Sequence, residues 1–329
     1  MQEENYIGKI QEIEQEMISL YEKRRAVCQE MAGGPLPVEQ SPYAGFTPVP
    51  ELVSRGRTAA YCGVPGAFAY EAVIRFFGEE IEPLSVGSFD AAMAAIASGQ
   101  AQYAVLPIEN STAGAVGNVY DLLKEYDHTI VGELDLSVCH NLLVVPGTKI
   151  SEIREVYSHP QALSQCRHYL DEEHPKWLQI PGVNTAVCAK EVSEEGDRRK
   201  AAIGSEDAAR LYGLEVLQRR INRTDTNTTR FVVVSGEKIY LESAKKVRVC
   251  FECLHRTGTL YHLLAHIAFN SLNMTRIESR PIPEQSGPKQ NWEYRFFVDF
   301  KGNLQDENVR RALDGLKLDA RALRILGNC

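Results

Sequence analysis

A run of polar residues enters an apolar strand in the second half of the chain, and its residue types suit chemistry on a small anion. Residues 227–231 read Asn-Thr-Thr-Arg-Phe and lead directly into Val232, Val233 and Val234. The run sets hydroxyl groups and a guanidinium at the mouth of a buried strand. Thr-rich segments also enter apolar strands because of turn chemistry and β-propensity, so the functional interpretation needs support from other segments.

Several predicted strands pass into helices through small polar residues, which are typical helix N-caps. These junctions are residues 63–66, 110–112, 184–185 and Ser205. Capping alone explains any single junction. Helix amino termini also carry free N–H groups and a favourable dipole, so two or three that converge would bind a carboxylate without lysines. A cleft between two α/β halves is the natural place for such a cluster.

The composition predicts a globular protein with more than one domain. The chain has 329 residues, of which 44% are hydrophobic and 24% charged, and this length predicts two or three domains. No apolar stretch approaches the roughly 20 residues that span a bilayer, and the first residues are acidic, so we expect a cytoplasmic protein without a membrane partner. A formal charge of -8 and a pI near 5.6 argue against nucleic acid as a partner.

The eight cysteines and eight histidines show no spacing typical of a disulfide framework or a metal site. Cys250 and Cys253 form a C-x-x-C pair. Residues 247–254 alternate like a strand, however, where positions three apart face opposite sides. We therefore expect reduced cysteines, no metal ion and no cofactor.

The first 56 residues predict a helix and a linker. Apolar residues alternate three and four apart between residues 7 and 31, as on one face of a helix, and Arg24 occupies the remaining position of this apolar seam. The seam residues are Ile10, Ile13, Met17, Leu20, Val27 and Met31. A Gly-Gly-Pro sequence at 33–35 ends the helix, and five of the fifteen prolines lie between Pro35 and Pro50. That density predicts an extended linker over residues 35–56.

Two further patterns follow the linker. From residue 57 the sequence alternates in the α/β manner, which predicts a domain at 57–240 whose sheet carries helices on both faces. Strands are predicted at 59–62 and 103–106, helices at 70–77, 89–97 and 117–126, and further elements at 141–145, 161–170, 187–191, 201–203 and 207–212.

The second pattern, over residues 245–329, has the ferredoxin-like order βαββαβ. Its elements are strand 246–254, helix 260–270, strands 275–281 and 292–300, helix 306–316 and strand 323–326. Gly287 and Pro288 suit the hairpin between the middle strands.

Six segments resemble, in order, the signatures of prephenate and arogenate dehydratases. They are residues 61–68, 105–114, 159–166, 184–186, 201–205 and 227–231. Residues 258–261 and 278–281 resemble the phenylalanine-binding motifs of the ACT domain attached to these enzymes, so the resemblance covers about residues 57–329. The opening motif of the family usually has Thr and Ser where Ala67 and Ala69 stand. Any substrate contact that those hydroxyls make in relatives is therefore absent here.

The resemblance implies a bilobed catalytic domain, similar to type 2 periplasmic binding proteins, followed by an ACT regulatory domain. It implies a carbon-oxygen lyase that converts prephenate to phenylpyruvate in L-phenylalanine biosynthesis. Phenylalanine would inhibit the enzyme through the ACT domain, and the chain would assemble as a homodimer or homotetramer. Arogenate dehydratase is one alternative. A non-catalytic amino-acid sensor is another, although a sensor would not need the intact run at 227–231.

The family reaction removes carbon dioxide and hydroxide from prephenate, and hydroxide is a poor leaving group that needs a proton or a strong hydrogen bond. Thr229 is the expected donor. Glu109 either holds the needed proton beside the dianionic substrate or orients neighbouring amides. Neutral donors suit the carboxylate that leaves as carbon dioxide, because a tight ground-state clamp would slow decarboxylation.

The resemblance assigns roles to three sets of residues. The expected catalytic residues are Thr229, Glu109 and Asn110. The expected substrate-binding residues are Gly66, Ser111, Thr112, Gln161, Asn184, Thr185, Arg230 and Phe231. The expected phenylalanine-binding residues are Gly258, Thr259, Leu260, Glu278, Ser279, Arg280 and Pro281. Strand alternation turns Arg230 away from Thr229, so Arg230 either binds the side-chain carboxylate or supports the sheet, and Phe231 either lines the pocket or fills the core.

The amino-terminal helix resembles the first helix of the chorismate mutase that many relatives carry in fusion. The resemblance would make Arg24 a former substrate ligand. Ile7 stands where another ligand arginine is expected, the helix ends at residues 33–35, and the second and third mutase helices are missing. Residues 1–34 are therefore expected to be a mutase remnant without mutase activity, serving as a packing or assembly element or marking a shortened form.

Overall fold

The computed structural model of the chain describes residues 2–112, 114–116, 118–222, 227–253, 256–282 and 294–329. The chain divides into unit I, formed by Met1–Leu52 with Lys238–Cys329, and unit II, Val53–Glu237. The predicted hairpin at Gly287 and Pro288 and the predicted strand start at residue 292 lie outside the described residues.

The helices and strands are as follows. The α-helices are α1 (Gln2–Met31), α2 (Phe68–Phe77), α3 (Phe89–Ala97), α4 (Val119–Tyr126), α5 (Pro160–Gln165), α6 (Thr185–Glu195), α7 (Glu206–Tyr212), α8 (Thr259–Ala268) and α9 (Glu307–Asp319). The strands are β1 (Thr47–Val49), β2 (Thr58–Cys62), β3 (Glu82–Val86), β4 (Tyr103–Asn110), β5 (Gly114–Ala115), β6 (Thr129–Ser137), β7 (Asn141–Val144), β8 (Glu155–Ser158), β9 (Leu178–Pro181), β10 (Lys200–Gly204), β11 (Glu215–Gln218), β12 (Thr228–Ser235), β13 (Ile239–Leu241), β14 (Lys246–Glu252), β15 (Met274–Pro281), β16 (Tyr294–Lys301) and β17 (Ala322–Asn328). None of the helices in the described ranges is long and apolar enough to cross a membrane.

Unit II consists of two lobes, each built on its own sheet. The first lobe has the strand order β3-β2-β4-β12-β6, in which β12 runs antiparallel to both of its neighbours. The second lobe has the order β11-β7-β10-β8-β9. The chain passes into the second lobe after β6 and returns to the first at β12. Two buried clusters, one containing Leu142 and Val156 and the other Leu143 and Ala189, show that helices cover both faces of the second sheet.

The predicted α/β alternation is confirmed, but the sequence pattern missed several strands. Strands β3, β9 and β11 lie at sheet edges and are largely half-exposed or exposed, so they lack the apolar run that signals a buried strand. Strand β6 contains Gly132 in mid-strand, which breaks its apolar pattern, and an added Cβ there would lie 2.4 Å from the Phe76 ring. The element predicted at 161–170 contains helix α5, which ends at Gln165, and a π-helical turn follows at Tyr169–Glu173.

The βαββαβ order predicted for unit I is confirmed by β14, α8, β15, β16, α9 and β17. The four strands form an antiparallel sheet in the order β15-β16-β14-β17, as the ferredoxin-like arrangement requires. Its core joins strand residues such as Phe251 and Val298 to helix residues such as Leu263 and Leu313, all fully buried. Strand β15 is the edge of this sheet.

The prediction of an extended linker at 35–56 is wrong for much of that segment. Strand β1 pairs in parallel with β13 of the same unit. Tyr43 and Phe46 pack against the core of unit I, and Ser41 is buried. The proline spacing indicated only that the segment is not helical, whereas its aromatic residues attach it to the unit.

The predicted amino-terminal helix is confirmed as α1, which docks on unit I through polar side chains. The Tyr21 hydroxyl lies 2.7 Å from Nδ1 of His266, and the Tyr21 ring packs on Phe269. Nε2 of His266 lies 2.8 Å from Oδ2 of Asp319, and Arg24 donates to the same oxygen at 2.7 Å. Arg24 therefore serves as an anchor to α9, while the apolar seam stays exposed.

Asp319 is the centre of this anchor. Burial opposes ionisation of its carboxyl group, but the hydrogen bonds from His266 and Arg24 outweigh burial and lower its pKa to about 2. A folded-state pKa below the ordinary 3.8 means that the anchor stabilises the fold above about pH 4 and is lost as the pH falls towards 2.

Replacing Asp319 with asparagine should therefore lower the free energy of unfolding at pH 7 by about 1–3 kcal/mol, because a charged acceptor of two hydrogen bonds is lost. The measurement is urea-induced unfolding at pH 7 and at pH 2, with a smaller difference between the two proteins at pH 2. Glu307→Gln, an exposed acid on the same helix, is the matched control and should change stability by less than about 0.5 kcal/mol. Equal losses in the two variants would contradict the anchor.

Candidate functional site

A cleft of about 320 Å³ lies between the two lobes of unit II. Its described lining residues are Ala67, Phe68, Asn110, Val138, His140, His159, Gln161, Ala162, Gln165, Val183, Asn184, Thr185, Asn227 and Thr229. Lys, Arg, Asp and Glu are absent from this described set. The cleft therefore offers polar contacts from amide, hydroxyl and imidazole groups.

The register between β4 and β12 places two of the expected catalytic residues side by side. Thr229, near the start of β12, lies opposite Asn110, the last residue of β4. Nδ2 of Asn110 donates to Oγ1 of Thr229 at 2.9 Å, and both side chains are largely buried. Because an amide nitrogen only donates, the Thr229 hydroxyl keeps its own hydrogen for another acceptor.

A chain of amides extends from Asn110 towards the second lobe. Nδ2 of Asn110 also donates to Oδ1 of Asn227 at 2.9 Å, and Oδ1 of Asn110 accepts the Thr112 backbone N–H at 3.0 Å. Asn227 in turn donates to Oε1 of Gln165, on α5, at 3.1 Å. These hydrogen bonds fix the orientation of Asn110, so its contact with Thr229 is set in advance.

His140, another lining residue of the cleft, ends this chain. Its Nε2 lies 2.8 Å from Oε1 of Gln165, and its ring meets the Phe68 ring edge to face. The side chain is buried, and burial lowers the pKa of His140 against the opposing effect of the Gln165 hydrogen bond. The ring is therefore neutral near pH 7 and donates from Nε2 to the amide oxygen.

Helix amino termini also reach the cleft, as the polar junctions predicted. Phe68 is the first residue of α2, and Thr185 is the first residue of α6. Asn184 caps α6 by accepting the Val187 N–H at 2.7 Å. The short helix α5 adds the side chain of Gln161, and its cap His159 accepts the Gln161 N–H at 3.2 Å. The free N–H groups and dipoles of α2 and α6 favour an anionic ligand.

Ser111 and Thr112, expected as substrate ligands, do not belong to the described lining. Oγ of Ser111 accepts the backbone N–H of Thr228 at 2.9 Å. Thr112 closes the turn on Asn110. Both residues therefore shape the turn that follows β4, and they support the cleft from outside.

Glu109 and Arg230 lie outside the described cleft lining. Glu109 was expected either to hold a proton or to orient neighbouring amides, and this role stays a prediction. Side chains alternate along a strand, so Glu109 faces opposite to Asn110, and Arg230 faces opposite to Thr229. Arg230 forms ion pairs with Asp135 at 2.8 Å and with Glu109 at 3.3 Å. The sheet-supporting role of Arg230 is the one that the geometry favours.

Phe231 and Gly66 also lie outside the described lining. Phe231 is buried within the protein. Gly66 has φ +83°, and an added Cβ would lie 3.3 Å from Cα of Ala208 in α7 of the second lobe. Glycine is therefore required where the first lobe approaches the second, while the neighbouring Ala67 and Phe68 reach the cleft.

His140 and Gln165 are two polar lining residues to which the sequence reasoning assigned no role. Gln165 stands four residues after Gln161, on the same face of a helix, so that spacing was an available signal. His140 follows the crossing between lobes and belongs to no recognisable pattern, because its role depends on burial against residues from distant segments.

The sequence model of the prephenate dehydratase family matches residues 59–239, the segment that forms the cleft. The chain belongs to the prephenate dehydratase family. The resemblance seen in the sequence is thereby confirmed, and the family's members are carbon–oxygen lyases.

Two curated relatives show how far the similarity extends. A bifunctional chorismate mutase/prephenate dehydratase of Stutzerimonas stutzeri is 34% identical over 269 residues, which cover 82% of this chain and 72% of the relative. An arogenate dehydratase/prephenate dehydratase of Arabidopsis thaliana is 37% identical over 287 residues, covering 84% and 74%.

Two solved structures with a similar fold resemble this chain to a comparable degree. A prephenate dehydratase from Arthrobacter aurescens in complex with L-Phe has a TM-score of 0.73 and 30% identity, covering 82% of this chain and 89% of that one. A protein described as a quorum-quenching acylase, GqqA, has a TM-score of 0.74 and 32% identity, covering 83% and 96%.

Proposed function

We propose that this chain is a prephenate dehydratase that forms phenylpyruvate from prephenate and is inhibited by L-phenylalanine. The hydrogen bond from Asn110 to Thr229 at 2.9 Å is the observation that carries the catalytic part of the proposal. It holds a hydroxyl donor at the wall of a cleft between two lobes, in a chain of this family.

The proposed reaction breaks two bonds of the substrate. The bond between the ring and its carboxylate breaks, and its electron pair enters the ring as the bond to the ring hydroxyl breaks. Carbon dioxide and hydroxide leave, so the prephenate dianion becomes the phenylpyruvate monoanion, and acid from the buffered solvent then neutralises the hydroxide. Thr229 donates a hydrogen bond to that oxygen while negative charge develops on it. Asn110 keeps the Thr229 hydroxyl oriented by occupying an acceptor site of its oxygen.

Neutral groups suit both carboxylates of prephenate. The carboxylate that becomes carbon dioxide loses its charge in the transition state, so a strong cationic clamp would stabilise the ground state more than the transition state. The side-chain carboxylate remains charged, and the amino termini of α2 and α6 provide N–H groups and dipoles for it. We assign substrate contacts to Gln161, Asn184 and Thr185 on this basis.

Arogenate dehydratase is the alternative within the family, and the Arabidopsis relative carries both activities in its name. Arogenate bears an ammonium group where prephenate bears a keto oxygen. An ammonium is held best by a carboxylate, and the described lining contains none. This favours prephenate.

An acylase mechanism would require a base beside the nucleophile. Among the described residues, the side chain that hydrogen-bonds to Thr229 is the amide of Asn110, which is not a base.

Thr229→Ala should lower kcat for phenylpyruvate formation from prephenate by about 100- to 1,000-fold, since one hydrogen bond to the developing oxyanion is lost. Thr229→Ser keeps the hydroxyl and should lose less than about tenfold. Both variants are assayed beside the wild type with prephenate and with arogenate, and circular dichroism verifies their folding. If Thr229→Ala turned over prephenate at the wild-type rate, Thr229 would have no catalytic role.

We further propose that the βαββαβ part of unit I is an ACT domain that binds phenylalanine between two copies of the chain, in a homodimer or homotetramer. Gly258 directly precedes α8 with φ +81°, so the backbone is open at the helix amino terminus. Residues 278–281 lie on the edge strand β15, where another chain has access. Glu278 pairs there with Arg276 and with Arg280. The solved structure of the Arthrobacter aurescens relative in complex with L-Phe supports phenylalanine as the ligand.

Glu278→Gln should weaken inhibition by phenylalanine at least about tenfold, because the neutral side chain no longer fixes Arg276 and Arg280. The measurement is the phenylalanine concentration that halves prephenate turnover. The rate without phenylalanine should fall far less than the inhibition does. Unchanged inhibition in this variant would argue against a site that uses residues 278–281.

Helix α1 is proposed to be the remnant of a chorismate mutase without mutase activity. Arg24 is engaged by Asp319 of its own unit, and Ile7 offers no charge for a second substrate contact. The helix thus has a structural task in unit I.

A further inference from the structure

The apolar seam of α1 is exposed along its whole length. Four of its residues, Ile10, Ile13, Leu20 and Val27, each expose 55–57% of their surface, and Met31 exposes 83%. The helix is anchored instead by Tyr21, which stands next to the seam, and by Arg24, the charged member of the seam. An exposed stripe of large apolar residues on a docked helix marks an interaction surface.

The spacing of this seam is that of a coiled coil. Its residues recur at alternating intervals of three and four, which is the a and d pattern of a heptad repeat. From Ile10 to Met31 the seam is about 33 Å long at 1.5 Å per residue. A groove of about 220 Å³, lined by Met17, Leu20 and the exposed Tyr261, adjoins the middle of the seam. A second helix laid on the seam would cover this groove.

Arg24 indicates the direction of the second helix. In a parallel pair of α1 helices, the two Arg24 residues would face each other across the seam, and their like charges would repel. In an antiparallel pair centred between Met17 and Leu20, Arg24 faces Ile13 of the partner subunit. Arg24 then keeps its bond to Asp319 at 2.7 Å, because only its aliphatic stem needs to contact the seam.

The charges beside the seam select the same arrangement. The g positions of the heptad are Lys9, Glu16, Lys23 and Glu30, all exposed. In the antiparallel pair, Lys9 lies beside Glu30 of the partner subunit and Glu16 beside Lys23 of the partner subunit, so the contacts between g positions join opposite charges. A shift by one heptad in either direction brings lysine to lysine and glutamate to glutamate. Such flanking charges set partner choice and orientation in coiled coils.

We propose that α1 pairs with α1 of a second copy of this chain as an antiparallel coiled coil in which Ile10 lies opposite Val27 of the partner subunit. This pairing rests on the seam and its flanking charges, independently of the proposed enzymatic function. The apolar seam supplies the free energy of association, and the flanking ion pairs, which are individually weak, fix the register.

Cysteine cross-linking of the full chain tests the orientation directly. In a Cys28→Ala background, the double variant Ile10→Cys/Val27→Cys should form a covalent dimer under mild oxidation. The single variants Ile10→Cys and Val27→Cys should not. Residues 10 and 27 are too far apart on one helix, about 25 Å, to bond within a chain. Cross-linking by the single variants would indicate a parallel pair, and no cross-linking by the double variant would overturn the pairing.

Charge reversal tests the register. In the double-cysteine protein, Glu16→Lys or Lys23→Glu alone should slow cross-linking about threefold to tenfold, because each creates like-charge contacts. The combination Glu16→Lys/Lys23→Glu should restore the original rate. Glu12→Lys, which makes the same change in charge away from the seam, is the control and should have little effect. Failure of the combined reversal to restore cross-linking would refute the proposed register.

Discussion

The cleft of unit II depends on the antiparallel register between β4 and β12. That register sets Asn110 opposite Thr229, and one hydrogen bond between their side chains orients the hydroxyl to which we assign the chemistry. The amide of Asn110 is in turn fixed by Thr112 and Asn227. A shift of the strands by one residue would turn Thr229 to the opposite face, where Arg230 and Glu109 now form their ion pair.

The absence of charged side chains from the described lining fits the proposed reaction. Decarboxylation and loss of hydroxide need a site that does not hold the departing carboxylate too firmly, yet the substrate must still be bound as an anion. Helix termini, amides and a hydroxyl meet both requirements. Burial keeps the His140 ring neutral by lowering its pKa, so this histidine also contributes a neutral donor, to Gln165.

Much of this arrangement was predictable from the sequence, and the remainder depended on contacts between distant segments. Apolar periodicity predicted α1, the α/β alternation and the βαββαβ order, because each is a local pattern. The motif at 227–231 and the cap at Asn184 predicted the principal polar groups of the cleft. Strand alternation places Glu109 on the face of β4 opposite to Asn110, and its catalytic role stays a prediction. His140 and the exposed side of α1 could not be found, since both depend on what packs against them.

A structure of the protein bound to a non-reacting prephenate analogue that keeps the ring hydroxyl would test the central assignment most directly. The account predicts that this hydroxyl lies within about 3.2 Å of Oγ1 of Thr229, while Asn110 still donates to Thr229. A ring hydroxyl held elsewhere in the cleft, with a carboxylate of the ligand at Thr229, would contradict it.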